Sequence, residues 1–211
     1  MYLPRAFAEH DLEALDRLAG RDRFITLITV RDGEPTVSHL PVLYRRNGEH
    51  VELIGHWARP NPQATHAGPA LAIFHGPHAY VSPAWYPDKE EAARVPTWNY
   101  AVAHLRGTLS TFDEERALAD VVGGLSIEHE TAIGSDWRFE FERDNQRRQL
   151  RGIVGFRFVA ESIALKFKLS QNHPMPNRES VASQLEAQPR DASRETAALM
   201  RERMTLESNG D

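Results

Sequence analysis

With 211 residues and 41% hydrophobic side chains, the chain is long enough to bury one sizeable core and still carry helices around it. Its 25 Lys and Arg against 30 Asp and Glu leave a net charge of −5, so its overall field does not gather polyanions, which argues against a dedicated nucleic-acid binder. Cysteine is absent, which excludes disulfides, thiolate zinc sites, iron–sulfur clusters and a thiol nucleophile; neither a secretory start nor an apolar run of membrane-spanning length is visible, so the expected location is the cytoplasm.

In chain order, Asp11 to Gly20 reads as a short helix capped by Asp11, with Leu12, Leu15, Leu18 and Ala19 on one stripe and Gly20 as a left-handed exit. A β-meander follows, with hairpin turns expected at Asp32-Gly33 and Asn47-Gly48 and three strands before residue 58. Asn61-Pro62 is a cap-then-proline pair that predicts a helix start. Ala70 to His75 and Ala79 to Ser82 read as two short strands around Gly76-Pro77, and 83–96 as a long loop of the kind that often carries function. Thr97 to Phe112 suits a long strand. A capping box at Thr111 to Glu114 then opens a helix with Leu118, Val121, Val122 and Leu125 at core spacing. A further helix is expected within Glu140 to Leu150, strands at Ile153 to Val159 and Ser162 to Leu169, and helical pieces at 181–185 and 196–204 with a frayed end. Many short strands with a few covering helices describe a small barrel with helical additions, mainly β in class.

The chemistry is defined partly by what is missing. There is no G-x-S-x-G elbow, Walker loop, G-x-G-x-x-G or H-E-x-x-H, which removes the standard hydrolase, kinase and Rossmann readings. Glu128-His129-Glu130 points its side chains to different sides of a helix, and no metal site is expected there. Val51 to Gln63, by contrast, runs from a strand into a helix start that carries Arg59, an arrangement suited to an anion as well as to an ordinary connection. Trp85, Tyr86, Trp98 and Tyr100 either fill a core or line a slot for a flat ring. A flat ring bearing a phosphate would use both features, which points toward a flavin mononucleotide.

The successive blocks M-Y-L-P-R-A-F, S-H-L-P-V-L, G-H-W-A-R-P-N-P, F-H-G-P-H-A-Y-V-S-P-A-W-Y, V-P-T-W-N-Y and K-F-K-L-S-Q-N resemble those of the PaiB family, the FMN-binding negative transcriptional regulators, from Met1 to about Asn172. The resemblance implies a six-stranded antiparallel split β-barrel over 1–172 and a helical C-terminal extension over 173–211 that is packed on the barrel or partly frayed. It also implies a homodimer with FMN at the subunit interface. Carried over by block, the cofactor residues are His39, Leu40 and Pro41, Gly55 and His56, and Arg59 with Asn61, while the second subunit supplies Trp98, Asn99, Lys166 and Lys168. Three positions depart from the family pattern: Pro60 replaces a small residue, Arg94 an apolar one and Asn177 an acidic one.

Three functions are compatible with this reading. One is a regulator whose FMN stabilises the dimer; DNA contact has no support from charge or motif, since Arg143, Arg147, Arg148 and Arg151 read as a solvated helix face. Another is an FMN-dependent oxidoreductase, of the flavin reductase or pyridoxamine phosphate oxidase kind, acting on a small molecule and modulated by His56, His104, Tyr86 or Lys89. The last is a barrel that has lost its flavin.

Overall fold

The structure, a computed structural model, describes residues 1–208; residues 209–211, where the frayed end is expected, lie outside the described residues. In chain order the elements are β1 (Ala8–Glu9), α1 (Glu13–Arg21), β2 (Phe24–Arg31), β3 (Glu34–Pro41), β4 (Leu43–Asn47), β5 (His50–Ala58), β6 (Gly68–Val81), β7 (Thr97–Phe112), α2 (Glu115–Ala132), α3 (Asp144–Arg147), β8 (Ile153–Lys168), α4 (Met175–Glu186) and α5 (Asp191–Ser208). The strands join one open sheet in the order β3-β2-β6-β7-β8-β5-β4, with β1 paired to β8. This is the split-barrel class expected from the sequence, with eight strands among the described residues where six were expected.

Several elements differ from expectation for local reasons. Gly76-Pro77 does not break β6, which runs as one strand of 14 residues. Its ladder with β2 covers Ala70 to Ile73 only, so Pro77 falls beyond that partner, where its missing N–H costs no bond on that side. The two strands expected after residue 153 likewise fuse into β8. Gly20 lies inside α1 rather than ending it. The cap of α2 is Glu114, whose carboxylate accepts from Arg116 N and Ala117 N, and not Thr111. The hairpins are as expected: Asp32 and Gly33 both take positive φ between paired Arg31 and Glu34, and Gly48 does so between Asn47 and His50.

The chain falls into two compact units. One comprises Asp16–Phe74 and His104–Ile163; the other comprises Met1–Leu15, His75–Ala103 and the chain from Ala164 onward. They cut across the expected boundary at residue 172. In the first, here the barrel unit, Leu27, Leu53, Leu105, Leu109, Phe156 and Phe158 are fully buried, and α2 lays Val121 and Leu125 on Ile54. In the second, here the helical unit, α4 and α5 bury Val181, Leu185, Ala197 and Met200.

The polar centre of the barrel unit is Gln63, fully buried in the 3-10 turn Pro62–Thr65. Its carbonyl accepts from Trp57 Nε1 at 3.1 Å, and its amide reaches Leu27 O at 3.2 Å, Thr29 Oγ1 at 3.0 Å and Thr36 O at 3.0 Å. One side chain thereby joins β2, β3 and β5. Removing it takes a hydrogen bond from each of the three strands and leaves the buried Trp57 indole N–H without its partner, so Gln63→Ala is expected to lower the unfolding free energy by about 2–4 kcal/mol. Urea unfolding checks this, and a loss below about 0.5 kcal/mol, the range of an ordinary surface substitution, would contradict the role given to Gln63.

Candidate functional site

The barrel unit contains seven of the residues singled out in the sequence. His39, Leu40 and Pro41 end β3, and Gly55 and His56 sit in β5. A side chain on Gly55 would run into the Phe156 ring and come within 3.0 Å of Pro41 O, so glycine is what lets β5 approach the end of β3. Asn61 closes the group by donating from Nδ2 to Ser38 Oγ at 3.1 Å. Ser38 was missed, although it opens the S-H-L-P-V-L block; its own O–H makes no bond among the described residues.

The junction itself needs a correction. Asn61 does cap the next element, accepting from Gln63 N at 2.9 Å, but that element is a 3-10 turn of four residues and not a helix. It is too short to develop the macrodipole on which the anion argument leaned. The positive charge must come from Arg59. Its Nε donates to Arg151 O at 2.8 Å and its Nη2 to Ile153 O at 2.9 Å, while its backbone N–H bonds Gly152 O at 2.7 Å. A guanidinium has five N–H groups, so two in use leave about three. The cleft of about 230 Å³ beside Arg59 is also lined by Arg151, Asp113 and Glu115, and those carboxylates make it a poor place for an anion.

Two histidines differ in surroundings. His39 is exposed, with Nδ1 3.0 Å from Thr26 Oγ1. His56 is half-buried, its Nδ1 has no partner, and burial pushes its pKa down, so the ring is neutral near pH 7. An orphaned ring nitrogen beside a close backbone approach is the kind of feature that a polar, ring-bearing ligand satisfies.

The remaining four residues lie in the helical unit. Trp98 is half exposed. Asn99, the next residue along β7, faces the opposite way: it is fully buried, with Nδ2 on Ser170 Oγ at 2.9 Å and on Met200 Sδ at 3.3 Å. Its amide is committed inside the unit, which corrects its expected place on a ligand. Lys166 donates to Tyr2 O at 3.0 Å and lies over the Tyr2 and Tyr100 rings. Lys168 donates to Thr97 Oγ1 and Trp98 O, both at 2.6 Å; burial, then the neighbouring Lys166, lower its pKa.

The match to known proteins agrees with this architecture. Residues 1–162 fit the family described as "Putative FMN-binding domain". The chain belongs to that family, and its cofactor is FMN. It is 30% identical to Protease synthase and sporulation protein PAI 2 of Bacillus subtilis, over 97% of this chain and 98% of that one, and 28% identical to an uncharacterized protein of Emericella nidulans over 96% and 97%. Among solved structures, the FAD and heme binding protein of Mycobacterium smegmatis aligns with a TM-score of 0.54 at 18% identity, covering 83% of this chain and 79% of that one. The flavocytochrome Anf3 of Azotobacter vinelandii aligns at 0.55 and 13%, covering 79% and 72%. At such identities these two speak to the fold alone. Among the described residues there is no cluster of His, Asp and Glu able to hold a metal, and no helix long and apolar enough to cross a membrane.

Two of the departures from the family pattern explain each other. Asp88, in the loop after β6, accepts from Arg94 Nε at 2.9 Å and from Asn177 Nδ2 at 2.7 Å. An acidic residue at 177 would repel Asp88, and an apolar one at 94 would leave it without its cation. The Arg94 hydrogen bond, assisted by Asn177, holds the Asp88 carboxyl down at about 2. Because the folded value is depressed, the stabilisation is present above the ordinary value of 3.8 and is lost as pH falls toward 2. Arg94→Gln is therefore expected to return Asp88 toward 3.8 in a carboxylate NMR titration and to flatten the change in urea midpoint between these pH values. A value still near 2 in that variant would show that Arg94 is not the cause.

Proposed function

We propose that the chain acts as a homodimer in the cytoplasm, binding FMN and serving as a negative regulator of transcription. The phosphate is held by Arg59, Asn61 and Ser38, outside the cleft that Asp113 and Glu115 line, and the flavin ring lies against Leu40, Pro41, Gly55 and His56, with His39 at its rim. A second copy contributes Trp98, Lys166 and Lys168. The observation that supports this reading best is the close approach of Gly55 to Pro41 O together with the bond from Asn61 to Ser38, which bring the end of β3, β5 and the following turn to one place. A phosphate dianion leaving water needs several charge-assisted hydrogen bonds, each about 1.5–3 kcal/mol net, and the unused N–H groups of Arg59 with the Ser38 hydroxyl are suited to that task.

In this reading regulation does not run through direct contact with DNA. The basic cluster is largely neutralised, with Arg143 on Glu140 at 2.7 Å, Arg147 on Asp144 at 2.6 Å and Arg148 on Asp144 at 3.9 Å. The Bacillus relative's name points to synthesis of proteases and to sporulation, which suits control of gene expression through a partner or through the bound flavin.

A second reading, a flavin-dependent oxidoreductase, is favoured by the neutral, unpartnered His56 ring. FMN when bound supplies the redox chemistry. His56 would then donate or accept one hydrogen bond, and Leu40 and Pro41 would keep water off that side. Anaerobic addition of NADH or NADPH separates the two, since bleaching of the flavin supports the oxidoreductase and its absence with both favours the regulator.

Arg59→Ala tests what both share. It is expected to weaken FMN by more than about tenfold, or 1.4 kcal/mol, and to purify without yellow colour. Flavin occupancy equal to the parent protein would refute the assignment of Arg59.

A further inference from the structure

The helical unit contains a groove of about 370 Å³ of which the flavin reading uses Trp98 alone, lined by His78 and Tyr80 from β6, Trp98 from β7, Trp85 from the loop, and Gln188 with Arg190 before α5. Its floor is aromatic. Trp98 meets Tyr80 edge-on with ring centres 5.9 Å apart, and His78 at 6.1 Å with the planes tilted by 40°. These contacts leave large ring area uncovered, since Trp98 is 50% and Tyr80 46% exposed. Two exposed aromatic residues sharing one concave surface present stacking faces for a flat ligand rather than a filled core.

The charge of the groove has one sign. Arg190 makes no side-chain hydrogen bond or ion pair among the described residues. Its neighbour Asp191 is occupied by Arg194, which forms an ion pair with it and also donates to Gln188 O at 3.0 Å. Among the described residues no carboxylate lines the groove. Gln188 uses one amide N–H on Gln184 O and has its carbonyl oxygen free. A planar fork of unused donors above an aromatic floor matches a ring that carries a carboxylate or a phosphate, because the guanidinium pairs with either in two parallel hydrogen bonds.

We propose that this groove binds a small planar aromatic anion, stacked on Trp98 and Tyr80 with its acidic group on Arg190. The site is built from one unit of one chain, and it stands whether or not the flavin lies where Arg59 suggests.

The test uses the full-length protein as purified, with 2-naphthoate as probe and uncharged 2-naphthamide as its control, read by calorimetry. Naphthoate is expected to bind saturably with one site per chain. Arg190→Gln, a change at an exposed position, should weaken naphthoate about tenfold and leave naphthamide within about twofold. Trp98→Ala should weaken both, with circular dichroism confirming that the variant is folded. Absence of naphthoate binding at millimolar concentration overturns the proposal, as does an equal loss of acid and amide in Arg190→Gln. Arg59→Ala separates the two readings. If it loses FMN and keeps naphthoate, the groove is a site of its own; if it loses naphthoate as well, the groove is only part of the flavin pocket and the proposal fails. If it keeps FMN and naphthoate together, the Arg59 assignment falls and the groove stands.

Discussion

The buried amide of Gln63 is the constraint on which the barrel unit and its candidate site both rest. A primary amide has two N–H groups and one carbonyl, and all of them face partners from β2, β3 and the Trp57 indole of β5. Inside a low-dielectric core such a network is strong when complete and costly when one member is missing, so it tolerates a single arrangement of the three strands. Asn61 stands two residues earlier in the same turn, its side chain clamped between Gln63 N and Ser38. The position of Asn61 and Ser38 is therefore inherited from the core, through a turn of four residues where a helix was expected.

The features that were legible in the sequence are those set by neighbours in the chain. Asp32-Gly33 and Gly48 needed positive φ at fixed places in two-residue turns, and a local rule finds them. The alternation from Thr97 to Phe112 gave the full length of β7. Gly76-Pro77 misled because the same dipeptide that usually ends a strand costs nothing on the side where the β2 ladder has already ended, and the end of that ladder is a tertiary fact. Seven of the residues that the family blocks singled out fall in the barrel unit. The state of those residues was not legible: Arg59 lies on two carbonyls more than 90 positions away, and Asn99 turns inward to meet Ser170 and Met200.

The loop after β6 shows how departures from a family pattern can conceal one rearrangement. Taken singly, Arg94 and Asn177 read as losses of a familiar residue. Asp88 couples them across 89 positions, and the same loop is held a second time where Ser180 donates to Trp85 O at 2.6 Å. A loop so tied is no longer a free lid. Its Trp85 becomes a fixed wall, and that gives the aromatic groove a defined shape before any ligand arrives.

Pro60, the third departure, follows a similar logic at the flavin side. Proline disfavours the helical conformation for the residue before it, so it limits the backbone freedom of Arg59 in the unfolded chain and in the turn from Ala58 to Asn61. Arg59 is then fixed three times over, by its backbone N–H on Gly152 O and by two guanidinium bonds on the carbonyls of Arg151 and Ile153. A long cationic side chain normally loses rotamer entropy when it meets an anion. Here that entropy is already lost in the free protein, so under the function proposed above the remaining N–H groups would meet a phosphate with little further ordering. Together the proline and these three bonds make a charge on an exposed turn behave like part of the scaffold.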